Sequence, residues 1–136
     1  MANTDVTPKL RVLLVEDDRD VASVVCLALE DFFDVSHAAT AHSARLAIRS
    51  ACPDLVLLDW HLGNDSGQAV LAELELIGSS SRPPVIITSG GEDEPLLEAV
   101  RIGSACHLPK PFSIEELVRS VTRQLLRRKP SQGDLK

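Results

Sequence analysis

Two short aliphatic runs in this sequence end in acids: "LRVLLVEDD" carries Leu10 to Val15 into Glu16, Asp17 and Asp18, and "DLVLLDWHLG" carries Leu55 to Leu58 into Asp59. A continuous apolar run bounded by turn residues reads as a strand buried on both faces, as in a parallel sheet. In an open parallel sheet the ligand site lies outside the carboxyl ends of the strands, so acids ending neighbouring strands one and three meet at one edge. Three clustered carboxylates, Glu16, Asp17 and Asp59, resist ionising together unless a cation offsets their charge. Oxygen donors with open positions suit a hard ion that keeps several waters, which describes Mg2+ better than Zn2+. Strand four, "PVIIT", ends in Thr88, and "HLPKPF" brings Lys110 to the end of strand five. A transferring phosphoryl group needs such an ammonium to neutralise its oxygens and such a hydroxyl to hydrogen-bond them. The facing carboxylate then acts as nucleophile, and Asp59 is the acid best placed to form an aspartyl phosphate.

These groups need elements to position them. Val21, Val24, Val25, Ala28, Leu29 and Phe32 recur at helical spacing, with an Asp at 17 or 18 as N-cap. "DVSHAA" is a short, weak strand, followed by Thr40 as a cap and by Ala44, Ala47, Ile48 and Ala51 on one helical face. "GNDSG" reads as a turn, and Val70, Leu71, Leu74 and Ile77 give a third helix that fades into "GSSSRPP". Pro95 is allowed in the first turn of a fourth helix carrying Leu96, Leu97, Ala99 and Val100. Ser113 and Glu116 make a capping box for a fifth, with Ile114, Leu117, Val118, Val121 and Leu125 inward and Arg127, Arg128 and Lys129 at its end. Five strands alternating with five helices predict a doubly wound α/β fold, (βα)5 and flavodoxin-like, with a five-stranded parallel sheet in the order 2-1-3-4-5. Residues 1–9 read as an N-terminal extension, 10–128 as the domain and 129–136 as a flexible tail.

Composition narrows the function classes. A length of 136 residues with 44% hydrophobic content fits one domain with a real core. The formal charge of −6 argues against whole-surface attraction to nucleic acid or an anionic membrane and favours a cationic ligand or partner. No apolar stretch is long enough to span a bilayer, and "MANTDVTPK" lacks the regions of a signal peptide, which predicts a cytoplasmic protein. Cys26, Cys52 and Cys106 have no CxxC spacing and read as free thiols serving as small core residues. Among the other acids, Asp18 reads as a cap, Asp54 as a turn residue and Asp65 as part of a solvated turn. The run Arg127 to Lys129 reads as complementing the carbonyl end of its helix.

"VLLVEDD", "PDLVLLDWHL", "PVIITSG" and "LPKPF", in that order and at this spacing, resemble the receiver domains of two-component response regulators over residues 10 to about 128. The resemblance implies phosphorylation of Asp59. It also implies Mg2+ bound by Asp17 and Asp59, by Glu16 through water and by the backbone carbonyl of His61. Thr88 would close on the phosphate and Lys110 contact it, with a cis Lys110–Pro111 bond. The implied partners are a sensor histidine kinase or histidine phosphotransfer protein, docking on the first helix and the turn near Pro111, and a downstream target. The target would bind the face of helix four, strand five and helix five, where Arg101 and His107 lie.

Four positions depart from the family pattern. His107 stands where an aromatic switch residue is usual, and its ring is polar. His61 lies at the rim, where the family tunes the lifetime of the phosphoryl group. Gly63 replaces a common proline, and Ser89 stands where a small residue, often Ala, is typical. The sequence therefore reads as a stand-alone phosphoacceptor that phosphorylates and dephosphorylates itself without turning over external substrates, and that signals through protein binding. The alternatives are a receiver-like interaction module without phosphotransfer and a receiver excised from a hybrid histidine kinase. A phosphohydrolase is disfavoured because His61 stands where an acid would be needed, and a flavin protein because acids stand where a phosphate cradle would sit.

Overall fold

A computed structural model describes residues 9–91, 94–101 and 105–127, the side chains of Glu94 and Arg101 excepted. The expected N-terminal extension up to residue 8, the tail, and Arg128 and Lys129 of the basic run lie outside the described residues. Five parallel strands, β1 (Arg11–Val15), β2 (Asp34–Ala38), β3 (Leu55–Asp59), β4 (Val85–Ser89) and β5 (Cys106–Pro109), form one sheet in the order β2-β1-β3-β4-β5. Five helices connect and follow them: α1 (Arg19–Leu29), α2 (Ala41–Ser50), α3 (Gly67–Glu75), α4 (Glu94–Arg101) and α5 (Ile114–Arg127). The fold is the doubly wound α/β type, in the strand order, that the alternation of elements predicts.

The central strands β3 and β4 are buried at every position, because crossover helices cover both faces of a parallel sheet. Side chains alternate between the faces. Leu13, Val15, Val56, Leu58 and Ile87 point to one core with Ile48, Val70, Leu74 and Leu96 of α2, α3 and α4. Val12, Leu14, Leu55, Leu57 and Ile86 point to the other with Val25, Leu29, Leu117, Val121 and Leu125 of α1 and α5. Side-chain caps set the helix starts. Asp18 accepts from the amides of Asp20 and Val21, Thr40 and Ser43 form a reciprocal box, and Ser113 and Glu116 form another. Across the first core's rim, Arg49 holds Glu73 with two hydrogen bonds of 2.9 Å, and Arg45 adds one of 3.4 Å. The hydrogen bond from Arg49 keeps the Glu73 carboxyl below the usual glutamate range.

Several local expectations are corrected. Val24 and Ile114 are 53% and 52% exposed. The buried stripes are Ala22, Val25, Leu29 on α1 and Leu117, Val121, Leu125 on α5; at about 100° per residue Val24 points away from the first, whereas Ile114 lines up with the second but is the first residue of α5, at the end of the stripe. Phe32 lies past the end of α1 and is 62% exposed. Of the three thiols only Cys26 packs, half-buried, against a core; Cys106 begins the edge strand β5 half-buried, and Cys52 is exposed in the loop before β3. The "GNDSG" turn holds a small antiparallel ladder, His61–Leu62 against Asp65–Ser66, with Gly63 at φ +61° making the reversal. Asp54 does more than turn the chain, since its Oδ2 accepts the Arg11 amide at 2.7 Å and ties β1 to the start of β3. No helix among the described residues is long and apolar enough to cross a membrane.

Candidate functional site

Four strands deliver their polar ends to the same sheet edge. Glu16 follows β1, and its amide still bonds the Ala38 carbonyl at 3.0 Å, so the ladder holds its backbone one residue past the strand. Asp59 closes β3 directly opposite Thr88 of β4. Lys110 follows β5, and its amide bonds the Ser89 carbonyl at 2.9 Å. The expected groups therefore come together: one carboxylate oxygen each from Glu16, Asp17 and Asp59 lie within 4.8 Å of one another. Lys110 Nζ stands 3.5 Å from Asp59 Oδ1 and 3.8 Å from Glu16 Oε1. The Lys110–Pro111 bond is cis.

Burial divides the acids. Glu16, Asp59 and Thr88 are buried, whereas Asp17 is exposed and opens the cluster to solvent. Burial pushes the Glu16 carboxyl up to about 7; the Asp18 amide, donating to Oε2 at 3.2 Å, pulls against this, and the Asp59 charge adds to it. A site where a buried glutamate hesitates to ionise beside two other acids and a single lysine is short of positive charge. Its donors are all carboxylate oxygens with one solvent-facing side, which fits a hard divalent cation that keeps waters. His61 is exposed at the rim, and its amide donates to Asp59 Oδ1 at 3.4 Å. Asp18 caps α1 and Asp65 lies exposed in the small ladder, as read from the sequence.

Three supporting residues escape a reading by type and spacing. His37 Nε2 lies 2.7 Å from the Glu16 carbonyl, a contact between residues on different strands that no local pattern signals. Ser89 Oγ donates to the Gly91 carbonyl at 2.6 Å and accepts the Gly91 amide at 3.1 Å, closing the loop beside Thr88. Gly67 begins α3 against the buried Trp60, where an added Cβ would meet the indole at 2.8 Å and the Asp59 carbonyl at 3.2 Å. His107 is half-buried, and its Nε2 is buried without a hydrogen-bond partner among the described residues. The side chain of Arg101, expected beside it, lies outside the described residues.

Residues 12–122 match the family model of the response regulator receiver domain. The chain is 33% identical over 122 residues to the phosphate regulon transcriptional regulatory protein PhoB of Escherichia coli (strain K12), covering 88% of this chain and 53% of PhoB. NtrX from Brucella abortus superposes with a TM-score of 0.81 at 29% identity, covering 94% of this chain and 30% of that one. The receiver domain of the Francisella response regulator 1452 gives 0.77 at 28% identity, covering 89% and 100%. The chain spans about half the length of the curated relatives it matches.

Proposed function

The chain belongs to the response regulator receiver family, and from that premise we propose that it accepts a phosphoryl group from a phosphohistidine donor onto Asp59 in a Mg2+-dependent reaction. The observation that carries this is the convergence of Glu16, Asp17, Asp59 and Lys110 at the edge where Thr88 also ends. A carboxylate oxygen of Asp59 attacks phosphorus, the phosphorus–nitrogen bond of the donor breaks, and the donor imidazole keeps the electron pair. Lys110 neutralises charge on the transferring group, and Thr88 donates a hydrogen bond to it once loaded. Glu16, Asp17, Asp59 and the His61 carbonyl would hold Mg2+, which when bound offsets the negative charge of the phosphoryl oxygens. The protein modifies itself in this way and turns over no external substrate.

The donor is a sensor histidine kinase or a histidine phosphotransfer protein. An apolar groove of about 620 Å3 beside the site, lined by Val21, Val24, Val25, Pro111 and Phe112 with Asp20 and Lys110 at its rim, supports docking there. The output is a phosphorylation-dependent surface on α4, β5 and α5, where His107 sits, working by a shift between two populated states in the cytoplasm. A second reading is favoured by the names of the relatives, which are transcriptional regulatory proteins: the receiver governs DNA binding by a further segment. Gel shifts with the full gene product, with and without Asp59→Asn, separate this from output through protein binding.

Intact mass after incubation with Mg2+ and acetyl phosphate tests the central claim. One added phosphoryl group, absent without Mg2+ and absent in Asp59→Asn, is the expected result. No adduct on a folded protein, with a kinase equally unable to label it, would leave an interaction module without phosphotransfer.

A further inference from the structure

We infer that His37 is a positioning residue for the acid pair, holding the peptide between Glu16 and Asp17 so that both carboxylates face the cation; this rests on the Mg2+-dependent reading above. In a parallel ladder, the amide and carbonyl of one residue bond two different residues of the neighbouring strand. The Glu16 amide takes the Ala38 carbonyl, and the next donor along β2 would be the amide of Thr40. That amide is instead committed to Ser43 Oγ at 3.2 Å, as half of the box that starts α2. The Glu16 carbonyl therefore loses its ladder partner where the sheet must present its acids, and His37 Nε2, 2.7 Å away, takes the vacated role.

A carbonyl only accepts, so Nε2 carries the hydrogen and the contact fixes the state of that ring nitrogen. The carbonyl of Glu16 and the amide of Asp17 share one rigid plane. Anchoring the carbonyl thus fixes the direction in which Asp17 leaves the chain. Asp17 is the exposed acid of the cluster, and no hydrogen bond among the described residues holds its carboxylate. His37 is exposed, and it lines a groove together with Arg19, Ser23 and Cys26 on one face of α1, so it links the edge strand to the acid loop and to the helix that follows.

Calorimetric titration of Mg2+ into the full chain, compared for wild type, His37→Ala and His37→Gln, tests this directly. Glutamine places its own Nε2 donor the same number of bonds from Cβ as histidine. The expected result is Mg2+ affinity weakened about fivefold in His37→Ala, the size of one lost hydrogen bond, and restored to within about twofold in His37→Gln. Labelling by acetyl phosphate should need correspondingly more Mg2+ in His37→Ala and reach the wild-type rate at saturation. Equal Mg2+ affinity in wild type and His37→Ala overturns the inference, and so does a His37→Gln as weak as His37→Ala. A wild type that takes up no Mg2+ overturns the metal-dependent reading itself, and this inference with it.

Discussion

Replacing Glu16 by Gln should stabilise the metal-free protein, and only above the pH at which the wild-type glutamate ionises. Folding raises this carboxyl from 4.5 to about 7, so between those values the folded chain binds more protons than the unfolded one. Stability from this group is fully present below pH 4.5, falls as pH rises, and is gone above about 7. The full difference corresponds to about 3 kcal/mol, and screening through the open Asp17 side reduces it to about 2 kcal/mol. The amide of Gln copies the protonated acid: its oxygen accepts the Asp18 amide and its NH2 faces Asp59. For a domain of this size, about 2 kcal/mol moves Tm by roughly 8 °C. Thermal melts in chelator should therefore superpose at pH 4.5 and separate by about that amount at pH 8, with Gln the more stable. Millimolar Mg2+ should narrow or reverse the gap at pH 8, because binding to the folded state favours the protein with the intact ligand. Parallel melting curves across the pH range in chelator would refute the argument that burial holds Glu16 protonated.

Three further substitutions probe the frame around the site. Gly67→Ala should cost about 2 kcal/mol by overpacking, since its Cβ would fall 2.8 Å from the Trp60 ring, while Gly78→Ala, with nothing within 4 Å, stays near neutral; urea midpoints of equal value would count against the close approach. Thr40→Ala removes the box that starts α2 and should lower stability by about 1 kcal/mol, checked by urea unfolding; an unchanged midpoint would show that the cap contributes nothing. His107→Phe removes a buried nitrogen that lacks a partner among the described residues and should raise stability by about 1 kcal/mol; a lower midpoint would show that Nε2 is satisfied in solution.

Legibility in the sequence followed burial. β3 and β4, buried at every position, stand out as unbroken aliphatic runs, and the acid, Thr and Lys at the strand ends point to a shared edge. β2 was faint because an edge strand has less to bury: only Ala38 among its residues is buried. α1 misled for the opposite reason. With Val21, Val24, Val25, Leu27 and Leu29 all apolar, spacing alone cannot choose which stripe faces the sheet, and tertiary packing selects Ala22, Val25 and Leu29. Glu73, which no spacing on α3 marks out, is buried under Arg49, a partner 24 residues away. His37 and the Glu16 carbonyl are likewise joined only by the pairing of β1 with β2. Local patterns carry the elements and their polar ends, whereas contacts between elements arise from register.

Charge explains why this edge can serve as a switch. Three carboxyl groups face one ammonium; ionising all three would leave an excess of two negative charges, which burial resists at Glu16 and a divalent cation would cancel. Turning the Asp59 carboxylate into an acyl phosphate adds about one negative charge and three acceptor oxygens, so the loaded site is again short of positive charge and of donors. Lys110 is already engaged with both Glu16 and Asp59. The remaining donor on a neighbouring strand end is Thr88, and the adjoining loop is held by the Ser89–Gly91 hydrogen bonds. On the proposed reading, a Thr88 that turned toward the phosphate would act next to that closure, and β5 at His107, paired with β4 at Ile87, is the neighbouring element.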